Sequence, residues 1–157
     1  MTPLSLYVDS SVIGGYYDDE FQTPTRMLWK QMEQGRFRFI ASVLLQQEIE
    51  RAPARVRRLM ERTFTHEKLI LPMTTEAVVL AAAYTENKVV PAAYADDARH
   101  VAIAIVHRVT VIVSWNFQHL VNLRREAGFN SVNILLGYPS VRIVSPLELI
   151  YGNEEEV

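Results

Sequence analysis

The chain has 157 residues, 49% hydrophobic and 22% charged, with 16 basic and 18 acidic side chains and a net charge of −2. That length favours one domain, and the balance excludes a disordered tail, a collagen-like repeat and a disulfide-stapled miniprotein. No cysteine is present, which excludes thiol catalysis, zinc–cysteine sites and redox switching. The slightly acidic total offers a polyanion no global positive field, so nucleic acid would have to be met by a local patch or by bound metal ions.

Leu4–Asp9 reads as a short buried strand ending on an acid. Met27, Leu28, Gln31 and Met32 predict a helix over Thr25–Gln34, stopped by Gly35. Phe37–Ala41 is a second strand, after which Ser42 can cap a helix Val43–Ala52 that Pro53 interrupts or kinks. An arginine-rich helix follows over Ala54–Thr63, while Lys68–Leu71 is too brief to assign. Thr75–Asn87 and Ala92–Arg108 are two further helices, and the β-branched Thr110–Trp115 is the clearest strand. A helix over Gln118–Ala127, stopped by Gly128, and a last strand Val141–Val144 complete the pattern.

Strands separated by helices imply a three-layer α/β/α domain with a central, mainly parallel, twisted sheet. The domain is expected over residues 1–150, with 151–157 an acidic, frayed tail carrying Glu154–Glu156. The opening MTPLSL lacks the basic start and apolar stretch of a secretory signal. The longest apolar runs, Ala77–Tyr84 and Val101–Val106, fall far short of the ~20 residues of a membrane span. A cytoplasmic protein with no membrane partner is expected.

Three acids sit where acids are expensive. Glu48 lies amid the stripe Leu44, Leu45, Ile49 and Ala52, whereas Glu50 falls with Gln46 and Gln47 on the wet side. Asp97 shares a face with Val101, Ala104 and Ile105, whereas Asp96 has Arg99, His100 and His107 for company. Asp9 closes an apolar strand, and Asn116 follows the end of another. In an open parallel sheet, ligands bind outside the carboxyl ends of the strands. Gathered carboxylates need either arginine partners or a divalent cation, and hard oxygen donors suit Mg2+ or Mn2+. Each acid taken singly also has a plainer reading, as a helix cap, an exposed side chain or an ordinary salt-bridge partner.

The segments YVDSSVIGG (Tyr7–Gly15), LLQQEIER (Leu44–Arg51), DDARHVAIAI (Asp96–Ile105) and VSWNFQHL (Val113–Leu120) resemble the four signature segments of PIN domains, in the same order. These are metal-dependent ribonucleases that include the VapC-like toxins, and the resemblance runs from about residue 5 to residue 145. It implies a metal-dependent endoribonuclease, the toxin of a type II toxin–antitoxin pair, using Mg2+ or Mn2+. The family's metal-binding acids fall on Asp9, Glu48 and Asp97, within Asp97-Ala98-Arg99-His100 for the third segment, and Ser11 falls on the hydroxylic position near metal or phosphate. Many members carry an acid where this chain has Asn116, whose carbonyl can ligate or orient water but supplies no charge. The resemblance therefore also admits a PIN-fold RNA- or protein-binding module with impaired catalysis. A dehalogenase-like phosphatase also begins with an acid after a strand, but it needs a second Asp where this chain has Ser11.

Arg51, Arg55, Arg57, Arg58 and Arg62 lie within twelve residues. Arg51, Arg55 and Arg58 are candidates for substrate phosphate contacts; the same helix face could instead pair with Glu50, Glu61 and Glu67 or dock an acidic antitoxin. His100 and His107 read as residues of a polar helix side, bridging to Asp96 or facing solvent, and His119 as a bystander at the site mouth. Tyr16 and Tyr17 read as a loop beside the cleft or a polar turn, and Trp29 and Trp115 as core aromatics. RNA, a cognate antitoxin and a second copy of the chain are the partners this reading implies.

Overall fold

The computed structural model describes residues 2–151, so the expected tail lies outside the described residues beyond Tyr151. The first strand, β1 (Leu4–Val8), turns Leu6 and Val8 to one face and Tyr7 to the other, and all three are fully buried. After it come α1 (Ser10–Gly15), α2 (Gln22–Glu33), β2 (Phe37–Ser42), α3 (Val43–Ile49), α4 (Ala54–Thr63) and the short β3 (Ile70–Leu71). The second half runs α5 (Thr75–Glu86), α6 (Ala95–Val106), β4 (Val111–Val113), α7 (Leu123–Leu135), β5 (Arg142–Val144) and α8 (Pro146–Tyr151).

The sheet expected to be mainly parallel is wholly parallel among the described residues, in the order β3-β2-β1-β4-β5. Tyr7 stands between Ile40 of β2 and Ile112 of β4 in the register. Leu6, Val8, Phe39 and Val113 pack with residues of α1 to α4 and with Ile150 of α8. Tyr7, Ile40, Ile112 and Ile143 pack with residues of α5, α6 and α7 on the other side. Both faces are thus sealed, which is why these strands read as nearly continuous apolar runs. The chain leaves β1 to one side for β2 and β3, then returns on the other side with β4. Strand order therefore reverses between β1 and β4, and Asp9 and Ser114 follow the ends of those two strands. That reversal opens the crevice where parallel sheets bind ligands.

Gly35 ends α2 with φ of 87°, as anticipated. The helix expected over 118–127 is displaced. Asn116 and Asn122 each accept a backbone N–H three residues on, the first closing a turn and the second capping α7, which then runs through Gly128. Gly128 serves close packing instead, since a Cβ there would sit 3.1 Å from Val89. The stop comes at Gly137, with φ of 82°. Among the described residues no helix is long and apolar enough to cross a membrane.

Gly15 fixes how α1 meets the strand ends. An added Cβ would lie 2.8 Å from the Trp115 indole nitrogen, which donates to Thr25 Oγ1 at 3.0 Å. Gly15→Ala is expected to cost about 1–3 kcal/mol despite the better helix propensity. Thermal denaturation should register ~2–4 °C lost per kcal/mol for a domain of this size.

Candidate active site

Asp9 leaves β1 with φ of −97° and ψ of 179°, so its carboxylate turns back over the start of α1. Oδ1 accepts the Ser11 hydroxyl at 2.6 Å and the Val12 N–H at 3.3 Å; Oδ2 accepts the Ser114 hydroxyl at 2.5 Å. Ser11 also accepts the Trp115 N–H at 2.8 Å, and Ser114 accepts the Asn116 N–H at 2.9 Å. The helix-cap reading of Asp9 therefore stands in the structure. Burial raises its pKa, and the two serines, the charge of His100 and the Val12 amide only partly offset that. Sequence reasoning does not reach Ser114, because a serine one residue past a strand carries no signal of its own.

A second network joins β1, β2, α3 and α6. The Tyr7 hydroxyl lies 2.7 Å from Ser42 Oγ and 2.6 Å from His100 Nδ1, and His100 Nε2 lies 2.7 Å from Glu48 Oε1. His100 is buried, which corrects the expectation of a polar, solvent-facing position bridging to Asp96. Asp96 instead pairs with Arg99 at 2.5 Å in the open, as its cationic company suggested. The reason is that α6 is buried from Ala98 through Ile105 except at Arg99, so nearly its whole girth faces protein. Burial disfavours the imidazolium. The hydrogen bond and charge of Glu48, backed by Asp9 and Asp97, outweigh it and hold His100 above the ordinary histidine range. In that form both ring N–H groups donate, one to Glu48 and one to the Tyr7 oxygen, and Tyr7 donates onward to Ser42.

Asp97, half-buried in the first turn of α6, makes no hydrogen bond among the described residues. Burial raises its pKa, the charges of His119 and His100 lower it, and Asp9 and Glu48 raise it again. The three acids separated in sequence thus share one electrostatic neighbourhood. His119 is 5% exposed, stacks on Tyr94 at 4.0 Å, and keeps both ring nitrogens buried without a hydrogen-bond partner among the described residues. Asn116 directs its carbonyl oxygen to the His119 N–H at 3.0 Å, shaping the turn that holds the imidazole. His107 bonds its own helix at Ile103.

Among the described residues no three His, Asp or Glu side chains form a ready-made metal group. The donors nevertheless suit a hard cation. Asp9 and Asp97 are carboxylates whose charged forms suffer from burial, and the charge of Asp9 adds to the burden on Asp97. Magnesium-like ions take one or two carboxylates and complete their octahedron with water and phosphate oxygens. Glu48, held by His100, remains partly open to solvent.

The arginines lie apart from this cluster. Arg51, Arg55 and Arg58 are exposed, and none of the α4 arginines pairs with Glu50, Glu61 or Glu67 among the described residues. Arg57 donates to the Ala52 carbonyl at 2.6 Å, while Arg55 and Arg62 turn to Tyr17. Tyr16 and Tyr17 form an ordered turn packed edge-on at 5.0 Å, and Trp29 and Trp115 are core aromatics as expected.

No family model and no curated protein matches the chain. Solved structures do. FitAcB from Neisseria gonorrhoeae aligns with a TM-score of 0.54 at 13% identity, covering 90% of this chain and 98% of that one. FitAB bound to the IR36 DNA fragment aligns with a TM-score of 0.56 at 15% identity, covering 90% and 94%. At these identities the likeness is one of fold, and it supports the PIN-type architecture expected from the four segments.

The Glu48–His100 pair has a defined pH signature. Because the folded-state pKa of His100 is raised, the pair's stabilisation is complete below the ordinary value of 6.5 and is lost as pH rises through the raised value. Glu48→Gln should therefore cost about 1–3 kcal/mol at pH 6. In urea denaturation the deficit should shrink as pH rises through the raised His100 value, since the charged pair is then lost.

Proposed function

We propose that the protein is a metal-dependent endoribonuclease that hydrolyses RNA phosphodiester bonds, the toxin of a type II toxin–antitoxin pair. The observation that carries this reading is that Asp9, at the sheet's switch point, and Asp97, in the first turn of α6, are partly or wholly buried acids close enough to interact: burial raises both pKa values, and the charge of Asp9 adds to the shift at Asp97. Such an arrangement is poorly suited to stability and well suited to a cation. Mg2+ or Mn2+ would be held by Asp9 and Asp97, with Glu48 ligating or orienting a water and Asn116 contributing its carbonyl or a second water. A divalent ion there supplies an acidified water and charge stabilisation on the scissile phosphate.

The protein's own part is orientation. Ser11 and Ser114 fix both oxygens of Asp9, and His100 fixes Glu48. Ser11 belongs to this support, since its hydroxyl is directed to Asp9. Arg51, Arg55 and Arg58 are proposed to meet the RNA backbone. The fold shared with FitAcB and FitAB supports an antitoxin as partner. Exposed Val78, Val79, Ile134 and Leu135 support a second copy of the chain as another.

The test is cleavage of a mixed-sequence RNA pool in Mn2+ and Mg2+. Wild type should cleave, EDTA should abolish cleavage, and Asp9→Asn or Asp97→Asn should each lower the rate at least ~100-fold, about 2.7 kcal/mol of barrier, while remaining folded by circular dichroism. RNA binding that survives EDTA, with no cleavage in any metal, would replace the nuclease with a binding module.

A further inference from the structure

Two arginines of the fold find counter-charges, Arg99 with Asp96 and Arg142 with Glu126. Those around Tyr16 and Tyr17 do not, and they stand together. The Arg26 guanidinium lies 4.9 Å from the centre of the Tyr16 ring and 5.8 Å from that of Tyr17, and its Nε donates to the Tyr16 carbonyl at 2.9 Å. Arg55 lies 5.0 Å from the centre of the Tyr17 ring, and Arg62 donates to the Tyr17 hydroxyl at 3.3 Å. Three exposed cations from two helices thus converge on two rings, with no carboxylate in salt-bridge range among the described residues. Asp18, in the following turn, spends an oxygen on the Glu20 N–H instead. Ring faces attract guanidinium groups but do not cancel their mutual repulsion. An anion would.

The cluster also has a direction. Tyr16 is the C-cap of α1, whose N-cap is Asp9. One short helix, about 10 Å at 1.5 Å per residue, therefore separates the two. A cavity of about 270 Å³ opens alongside, lined by Tyr16, Trp29, Glu33, Arg62 and Thr63 among others. Guanidinium planes and aromatic rings interleaved on one surface suit single-stranded nucleic acid, since phosphates take the charges and bases stack on either kind of plane. The exposed guanidinium groups serve both uses, whereas an acidic peptide would use their charge alone.

We infer that Arg26, Arg55 and Arg62, organised by Tyr16 and Tyr17, form a binding site for the backbone of single-stranded RNA flanking the bond to be cut. This rests on the ribonuclease reading and extends it from the carboxylates to the path of the strand. The tyrosines act as supports that hold the guanidinium groups in one array.

The experiment measures fluorescence anisotropy of a labelled twelve-nucleotide single-stranded RNA in EDTA, across a salt series. Arg26→Gln, Arg55→Gln and Arg62→Gln should each raise Kd about tenfold and flatten the plot of log K against log salt by about 0.7 for each phosphate no longer neutralised. Arg124→Gln, an exposed arginine on α7, should leave both unchanged. Tyr17→Phe should resemble Arg62→Gln, because it removes only the hydroxyl that holds Arg62. If wild type cleaves RNA in Mn2+ while the arginine variants keep its Kd and salt slope, the inference fails and the nuclease stands. Wild type that neither binds nor cleaves RNA overturns both. Tighter arginine-dependent binding of an acidic twelve-residue peptide than of RNA overturns the assignment of the ligand.

Discussion

A carboxylate at the end of a buried strand is the constraint around which the surrounding structure is arranged. Asp9 follows three fully buried residues of β1, and its charge must be met within a sheet sealed on both faces. Two serine hydroxyls and the Val12 amide meet it, and they arrive from two separate stretches of the chain: Ser11 and Val12 from the turn into α1, Ser114 from the end of β4. The same arrangement fastens β4 to α1, since Ser11 takes the Trp115 amide. Satisfying one buried charge has therefore fixed how the two strands flanking the switch point end.

Hydrogen bonds to an anion are among the stronger of their kind, yet burial still outweighs them at Asp9. Asp97 adds to the problem from the start of α6, and Glu48 from α3. His100 offsets part of it, with a charge sustained by all three acids and a hydroxyl chain through Tyr7 to Ser42. Its influence is local and fixed, because its ring nitrogens are already committed to Glu48 and Tyr7. The balance is a surplus of negative charge beside the buried imidazole of His119, in the part of the fold that parallel sheets use for ligands. Such a surplus fits the cation proposed above, and oxygen donors suit a hard one.

Much of the architecture is legible because the strands are buried on both faces and the helices other than α6 keep a solvated side. Ser42 capping α3, Gly35 ending α2 and the solvated side holding Gln46, Gln47 and Glu50 all follow from local chemistry and stand in the structure. The displaced α7 shows the limit: Asn116 and Asn122 both offer a side-chain oxygen to a backbone amide, and the local sequence does not decide between them; in the fold the helix begins at the second and packs Gly128 on Val89. α1 escapes a sequence reading for a related reason, since Ser-Ser-Val-Ile-Gly-Gly has weak helix propensity and depends on the Asp9 cap. At the site, apolar periodicity singles out Glu48 and Asp97. It cannot find His100 or Ser114, whose importance lies in partners 52 and 105 positions away.

On the function proposed here, Asp9 and Asp97 hold a divalent cation before any substrate arrives. Isothermal titration of Mn2+ into the protein at pH 7, without RNA, tests it most directly. Saturable binding by wild type that Asp97→Asn abolishes is the expected result. Equal binding by wild type and Asp97→Asn, or none by either, would contradict it.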